Sequence, residues 1–284
     1  MKERIIPNPH NEDFVSQLQV IHEALRGLGD DESVKFDLSK LSFVFPIILL
    51  PITSYIHDTK SGYDLDSGHK IESYLNTVCF PDGIDQVSEM ERYLARGTSY
   101  IPISVLSRGN LDEANKIESL FAGLISDVLN IPPAAKSAVI YPISELVTNI
   151  FEHSKAEKGF LFGQYYSQKE FLDISIVDRG RGLSASYIEE FGTKLNDEEA
   201  IIEALSGVST KKSDERGYGL HTSKEMVCKG LKGEFALITG DTMFVATGEE
   251  DKVIPLPDFN WKGVIISYRI PKPKEGVDYR KYVE

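Results

Sequence analysis

The sequence predicts an α/β protein built from two domains. Its 284 residues are enough to form two separate hydrophobic cores. Segments with helical apolar spacing alternate along the chain with short segments rich in β-branched and aromatic residues. Residues 1–125 differ in composition from the remainder and contain no nucleotide motif. We therefore expect a smaller α/β domain over residues 1–125 and a second domain over residues 126–284.

The first half of the sequence, residues 1–125 and the few that follow, predicts two helices, two strands and one buried segment. Residues 14–28 and 111–130 carry apolar side chains at helical spacing, and the second of these helices would connect the two domains. Residues 34–44 and 100–106 have the pattern of strands. Residues 45–56 are almost entirely apolar, but a membrane span needs about 20 residues, so we expect a buried segment instead.

The charge and the cysteine content argue against several classes of function. The net charge is −13, whereas a nucleic-acid-binding surface is positive, so we expect no nucleic-acid partner. Cys79 and Cys228 are far apart and lack Cys-x-x-Cys spacing, which leaves a zinc site or a disulfide framework without support. The N-terminus carries no apolar signal region. We expect a cytoplasmic protein with no membrane partner.

A helix predicted over residues 134–154 presents three polar side chains on one face. Glu145, Asn149 and His153 are four residues apart, so successive side chains are rotated by only about 40°. The amide oxygen of Asn149 can bind Mg²⁺, and the carboxylate of Glu145 can orient or deprotonate a water or a hydroxyl. The same spacing is common on solvated helix faces. Pro142 predicts a kink or a break in this helix.

A strand predicted over residues 171–177 ends in an aspartate and two glycines. Asp178 could accept a hydrogen bond from an exocyclic amine such as that of adenine. Gly180 and Gly182 carry no Cβ, so a flat base could approach the backbone closely. A surface turn is the alternative, because Asp and Gly are also common turn residues.

A glycine-rich segment, Gly217-Tyr-Gly219-Leu220, precedes a helix predicted over residues 221–229. A loop of this kind offers free backbone N–H groups at a helix N-terminus and is a natural phosphate site. The segment does not have the Walker pattern, and the Rossmann pattern is absent as well.

In this order and spacing, the three segments resemble those of the GHKL ATPase family, which includes the ATP-binding domains of gyrase, Hsp90, histidine kinases and MutL. The segment from Glu145 to His153 is most similar to the anti-sigma-factor serine kinases, whose helix reads Glu-x-Val-Thr-Asn with a His four residues later. The resemblance covers residues 130–270. It implies a two-layer α/β sandwich, the Bergerat ATP-binding fold, with a mixed sheet covered by helices on one face. ATP would lie between the helices and a mobile lid.

The resemblance also implies a role for each matching residue. Asn149 would hold Mg²⁺, Glu145 would be the catalytic carboxylate, and Asp178 would bind the adenine amino group. Residues 183–216 would form the lid, and His153 would either approach the phosphates or pack. The other positions expected at the ATP site are Gly180 and Gly182 under the base, Thr210 and Lys211 near the end of the lid, and Gly217, Gly219 and Leu220 on the phosphate side.

The sequence departs from the family at one position. Many members carry Gly-Thr late in the domain, with the threonine near the adenine, and the matching pair here is Gly263-Val264. Thr239 or Ser267 could supply the missing hydroxyl.

Residues 36–44 resemble the central strand of STAS domains, the fold of the antagonists that are partners and substrates of these serine kinases. The resemblance implies a STAS-like regulatory domain fused to the ATP-binding domain. The antagonists carry Asp-Ser, with the phosphorylated serine, where the next helix begins, whereas this chain carries Phe45-Pro46. An unrelated small α/β domain is the alternative.

Two functions from different classes follow from the resemblance. The first is a Mg²⁺- and ATP-dependent enzyme, either a protein serine/threonine kinase or an ATPase, acting with a regulatory protein partner or substrate. The second is a non-catalytic ATP-sensing module whose lid controls a protein partner. A scaffold with a degenerate pocket ranks below both. A histidine-kinase function has little support because no Pro follows His22-Glu23. Relatives of this type often form homodimers.

Overall fold

The computed structural model describes residues 2–96, 100–207, 219–247 and 250–282. Within them the chain is a mixed α/β protein with one three-stranded and one seven-stranded sheet. The strands are β1 (Lys2–Ile5), β2 (Val34–Asp37), β3 (Gly62–Asp64), β4 (Ser104–Ser107), β5 (Lys158–Tyr166), β6 (Phe171–Asp178), β7 (Glu234–Gly240), β8 (Thr242–Ala246), β9 (Asp251–Pro255) and β10 (Trp261–Pro271). The α-helices are α1 (Phe14–Leu25), α2 (Pro46–Thr59), α3 (Glu72–Thr77), α4 (Val87–Leu94), α5 (Leu111–Leu129), α6 (Pro133–Asn149), α7 (Gly182–Phe191), α8 (Asp197–Leu205) and α9 (Gly219–Glu225).

The three-stranded sheet is parallel and has the order β1-β2-β3. Parallel neighbours need a crossover, and α1 and α2 provide the two crossovers here. The predicted helix over residues 14–28 is confirmed as α1, which begins after the capping side chain of Asp13. The strand predicted over residues 34–44 is wrong beyond Asp37. The Asp37 carboxylate accepts a hydrogen bond from the N–H of Ser39 at 2.8 Å, which turns the chain out of the sheet.

The apolar segment predicted to be buried is confirmed as α2. Pro46 lies in its first turn, where a helix tolerates proline. The consecutive residues 47–50 are each at most 1% exposed, so this helix is buried on all sides. The helix also contacts β5, β6 and β10 of the larger sheet. α2 therefore joins the first half of the chain to that sheet.

The seven-stranded sheet has the order β4-β5-β6-β10-β7-β8-β9, and each pairing of neighbours is antiparallel. The mixed sheet implied by the resemblance is therefore wrong for the described strands. The strand predicted over residues 171–177 is confirmed as β6. Gly240 and Asp241 connect β7 and β8 in a hairpin.

Both faces of the larger sheet are covered, rather than one. Because side chains alternate along a strand, Phe160 and Val177 join the core that contains α1 and α2. Leu161 and Ile176 point the other way and join the core that contains α5 and α6. The first half of the chain therefore covers the face that a two-layer sandwich would leave open.

The domain boundary predicted between residues 125 and 126 lies within α5. The strand β4 precedes this boundary and pairs with β5 at one edge of the larger sheet. The chain from Ser104 onward is therefore built around the larger sheet. No helix in the described part of the chain combines the length and the apolar character needed to cross a membrane.

Candidate functional site

A cleft lies between the end of α6, the end of β6, α7 and the start of α9. Its cavity has a volume of about 140 Å³, and the empty space is about 960 Å³ when the part open to solvent is included. A cavity of about 150 Å³ holds a benzene ring, so this one can admit a ring system while the open part takes a longer group. The lining residues are Leu146, Asn149, Ile150, His153, Ser154, Ile176, Asp178, Gly182, Leu183, Ser186, Tyr187, Glu190, Phe191, Ala204, Gly219, Leu220, Val264 and Ile266.

Asp178 provides a buried carboxylate in the cleft. It ends β6, and only 3% of its surface is exposed. Its Oδ1 accepts a hydrogen bond from the N–H of Gly180 at 2.8 Å. Burial raises the pKa of Asp178 to about 6, while hydrogen bonds from Gly180, Ser154 and Val264 lower it. The group is therefore mostly ionised at neutral pH and can accept a hydrogen bond from an N–H donor of a ligand.

Asn149 stands where the helix changes its geometry. The predicted helix over residues 134–154 is confirmed, and Pro142 lies inside α6 without ending it. After Asn149 the backbone widens into a π-helical turn over Ile150–Ser154, a rare feature that is frequent at functional sites. Asn149 and His153 both line the cleft. Within the described residues the Asn149 side chain makes no hydrogen bond, so its amide is available to a ligand.

Glu145 and Gly219 meet beside Asn149. A Cβ placed on Gly219 would lie 2.5 Å from Oε2 of Glu145 and 3.6 Å from Nδ2 of Asn149. Glycine therefore permits this close approach of two segments that are distant in sequence. Gly219 and Leu220 line the cleft as the first residues of α9, where backbone N–H groups lack intrahelical acceptors. Glu145 flanks the cleft at this end.

The two glycines after Asp178 make different contacts. Gly182 has φ +75°, a left-handed conformation that favours glycine, and it lines the cleft. Gly180 packs against Ser154 instead, and so closely that a Cβ at this position would collide with the Ser154 carbonyl oxygen. The adjacent N–H of Arg181 donates to the same oxygen at 2.9 Å. Gly180 thus allows the turn after β6 to pack on the π-helical turn.

An ion-pair network fastens α7 to the π-helical turn. Nδ1 of His153 lies 3.2 Å from Oε2 of Glu190. The guanidinium of Arg181 contacts Glu190, donates to Oε2 of Glu189 at 2.7 Å, and donates to the His153 carbonyl at 2.6 Å. The Arg181 side chain is only 9% exposed, so this contact is a fixed part of the cleft wall. His153 therefore lines the cleft and is also paired with α7.

The described part of the predicted lid, residues 183–207, consists mainly of α7 and α8. The sequence did not predict these helices. A capping box between Asn196 and Glu199 begins α8. The side chains of α7 that line the cleft follow the spacing i, i+3, i+4, i+7 and i+8, which defines one face of a helix. This spacing is the signal that could have identified them: Leu183, Ser186, Tyr187, Glu190 and Phe191.

Val264 lies at the position where the resemblance would place a threonine. Val264 pairs with Asp178 across β10 and β6 and lines the cleft without a hydroxyl. Thr239 donates its hydroxyl to the Gly263 carbonyl at 2.8 Å and accepts a hydrogen bond from the N–H of Leu183 at 3.3 Å. The hydroxyl of Ser267 lies 2.8 Å from that of Ser175 inside the sheet. Of the two candidates, Thr239 is the one with a hydrogen bond to a residue that lines the cleft, Leu183.

Three residues expected at the site, Thr210, Lys211 and Gly217, lie outside the described residues, together with the part of the predicted lid after residue 207. In the ranges that are described, no group of three or more His, Cys, Asp or Glu side chains is placed to hold a metal ion.

No protein-family model matches this chain, and a search of curated proteins finds none that is similar to it.

Proposed function

We propose that the cleft binds ATP together with Mg²⁺. In this proposal the chain is a GHKL-type ATPase or protein serine/threonine kinase that acts with a regulatory protein partner or substrate. The observation that carries the proposal is the convergence of Asn149, Asp178 and Gly219 in one cleft. These residues come from three separate segments, and each has the chemistry that the resemblance assigns to one part of ATP.

The adenine would bind at the Asp178 end of the cleft. The Asp178 carboxylate is buried and would accept a hydrogen bond from the exocyclic amine. The apolar side chains of Ile150, Val264 and Phe191 line the same cleft and would cover the faces of the base. A buried acceptor among apolar walls selects a ligand that is flat and also carries an N–H donor.

The phosphates would lie towards Asn149 and the start of α9. Mg²⁺ prefers oxygen ligands and is often held by one or two protein groups together with phosphate oxygens and waters. The Asn149 amide has the chemistry of such a ligand and makes no hydrogen bond to other described residues. When bound, Mg²⁺ would neutralise phosphate charge. The first N–H groups of α9 would provide further donors.

Glu145 would orient or deprotonate the attacking group. It lies against Gly219 at the phosphate end, one helical turn before Asn149. The attacking group would be a water in an ATPase and a serine or threonine hydroxyl in a kinase. Phosphoryl transfer depends mainly on positioning and electrostatics, so one arrangement serves both reactions.

The second candidate function is an ATP-sensing switch without turnover. The observation that favours it is the attachment of α7 to the cleft wall through Arg181 and Glu190. A ligand that contacts Tyr187 and Phe191 would hold α7 in this position, and with it the surface offered to a partner. The STAS-like first half would be the regulatory part, since α2 packs against β6, the strand that carries Asp178.

The test is the affinity for Mg·ATP, measured by isothermal titration calorimetry on the full chain. We expect Asn149→Ala to weaken binding at least about tenfold, because a hydrogen bond or ligand contact to a charged group contributes about 1.5–3 kcal/mol. The matched control is Asn115→Ala, which removes an exposed amide from α5, a helix that does not line the cleft. No binding by the wild type would refute the proposal. Equal affinity in the wild type and in Asn149→Ala would refute the role given to Asn149.

A further inference from the structure

A second cavity lies behind the cleft, between α2 and the segments before β5 and after β6. Its volume is about 390 Å³, within the range of small-molecule sites. Ser154 lines both this cavity and the cleft, and the contact between Ser154 and Gly180 separates them. The first half of the chain contributes Ser54, His57 and Asp58 to its wall. The two halves of the chain therefore enclose this cavity together.

The charge of this cavity is opposite to that of the chain. The whole chain has 31 Lys and Arg against 44 Asp and Glu. The lining of the cavity includes five basic side chains but only two carboxylates, those of Asp58 and Glu157. The basic side chains are Lys155, Lys158, Arg179, Arg181 and Lys262. A concave surface with an excess of one sign of charge attracts ligands of the opposite sign.

Two of the lysines are available to a ligand. Lys155 and Arg181 pair with Glu189, and Arg179 pairs with Asp58. Lys158 and Lys262 are exposed, and neither has a carboxylate partner among the residues that the structure describes. Against these two ammonium groups the lining holds one further carboxylate, that of Glu157, so the cavity keeps a small excess of positive charge.

The side chain of Lys158 is positioned by a histidine. Nε2 of His57 lies 3.1 Å from the carbonyl oxygens of both Pro81 and Asp82, so this nitrogen carries the ring proton. Nδ1 is then an acceptor, and it lies 3.3 Å from Nζ of Lys158. Burial and the charge of Lys158 lower the pKa of His57, in agreement with a neutral ring. The contact holds one ammonium donor at the cavity and leaves its other donors free.

The guanidinium of Arg179 forms a fixed wall of the cavity. Its Nε donates to Asp58 at 2.9 Å and its Nη2 donates to the Asp30 carbonyl at 2.5 Å. The group lies over the rings of Tyr55 at 4.6 Å and Trp261 at 5.0 Å. The Arg179 side chain is 5% exposed, so its position is set by packing. The cavity is therefore built from anchored groups on both halves of the chain.

We infer that this cavity binds a small phosphorylated molecule, with the ammonium groups of Lys158 and Lys262 as the principal phosphate ligands. A phosphate group alone would fill only part of 390 Å³, so a phosphate ester or a diphosphate is the class that fits. Phe160 packs against His57 with ring centroids 5.2 Å apart and provides an apolar wall for the rest of such a ligand. This site is separate from the cleft, and the inference does not depend on ATP binding there.

The experiment measures pyrophosphate binding to the full chain by isothermal titration calorimetry. We expect the double variant Lys158→Gln/Lys262→Gln to bind at least about tenfold more weakly than the wild type, because two charge-assisted hydrogen bonds are lost. The matched control is Lys116→Gln/Lys136→Gln, which removes the same charge from exposed positions on α5 and α6 that line neither cavity. Circular dichroism checks that each variant is folded.

Three outcomes would overturn the inference. The first is a pyrophosphate affinity that falls equally in the double variant and in the matched control, which would indicate an effect of net charge only. The second is binding that Asn149→Ala abolishes and Lys158→Gln/Lys262→Gln leaves unchanged, which would assign the pyrophosphate to the cleft. The third is given by sulfate. Glucose 6-phosphate, tested in the same way, distinguishes a phosphate ester from a diphosphate, and sulfate tests for binding of any anion. Sulfate binding as tight as pyrophosphate binding would reject the phosphorylated class.

Discussion

Replacing Asp178 with Asn removes one buried charge from the cleft and keeps the size of the side chain. The carboxylate would accept the hydrogen bond of the adenine amine, whereas the Asn amide can present an N–H to it. Hydrogen bonds to charged groups contribute about 1.5–3 kcal/mol, so we expect ATP to bind about 10- to 100-fold more weakly. The Oδ1 of Asn can still accept the hydrogen bond that Gly180 donates at 2.8 Å.

The same replacement weakens ATP binding but should stabilise the ligand-free protein. The pKa of Asp178 in the fold is about 6, above its ordinary value of 3.8, because burial disfavours the charged form. The stabilising contribution of the protonated group is therefore complete below pH 3.8 and is lost as the pH rises through 6. This difference in pKa corresponds to on the order of 3 kcal/mol. Asn stays neutral and does not incur this loss.

The assay is denaturant unfolding of the wild type and of Asp178→Asn without ligand, at a series of pH values from 4 to 8. We expect the free energy of unfolding of Asp178→Asn, relative to the wild type, to increase with pH by up to about 3 kcal/mol. Calorimetry at pH 8 measures the ATP affinity of the same proteins. The control is Asp85→Asn, which changes the charge equally at an exposed position.

Unchanged ATP affinity in Asp178→Asn would refute the adenine assignment. A stability difference that does not increase between pH 4 and pH 7 would refute the account of the buried carboxylate. The two results are independent, so a failure of one does not conceal the other. A protein that loses both affinity and stability at every pH would indicate that Asp178 has only a structural role.

Three further predictions test neighbouring contacts. Gly180→Ala should lower the free energy of unfolding by about 1–3 kcal/mol, because its Cβ collides with the Ser154 carbonyl, whereas Gly123→Ala on the open side of α5 should raise it by about 0.5–1 kcal/mol. Denaturant titration checks both, and equal effects would contradict the packing account. Glu145→Gln should keep ATP affinity but lower phosphate release or transfer by about 100-fold or more, and unchanged turnover would remove Glu145 from the mechanism. Gly219→Ala should lower turnover similarly and leave the protein folded, because its Cβ displaces only the flexible end of the Glu145 side chain. Normal turnover in a folded variant would show that this contact is unimportant.

Several elements were predictable because their patterns are local. The helical spacing through Glu145 and Asn149 and the alternation of β6 reflect the geometry of a single segment. The strand predicted beyond Asp37 was wrong because a local side-chain hydrogen bond ended the pairing. The helix α7 was not predicted, although its cleft-lining residues have helical spacing, because residues 183–216 were expected to form a mobile lid.

The sequence by itself determined which residue types are present and in what order: an amide one turn after a carboxylate, an acid at a strand end, and a glycine at a helix start. These follow from backbone periodicity, which the neighbours along the chain control. Only the tertiary structure decided that Asn149, Asp178 and Gly219 share one cleft, that the first half covers the second face of the sheet, and that side chains from both halves line one basic cavity. These depend on contacts between residues far apart in the chain, which burial of apolar surface selects and which no local pattern records.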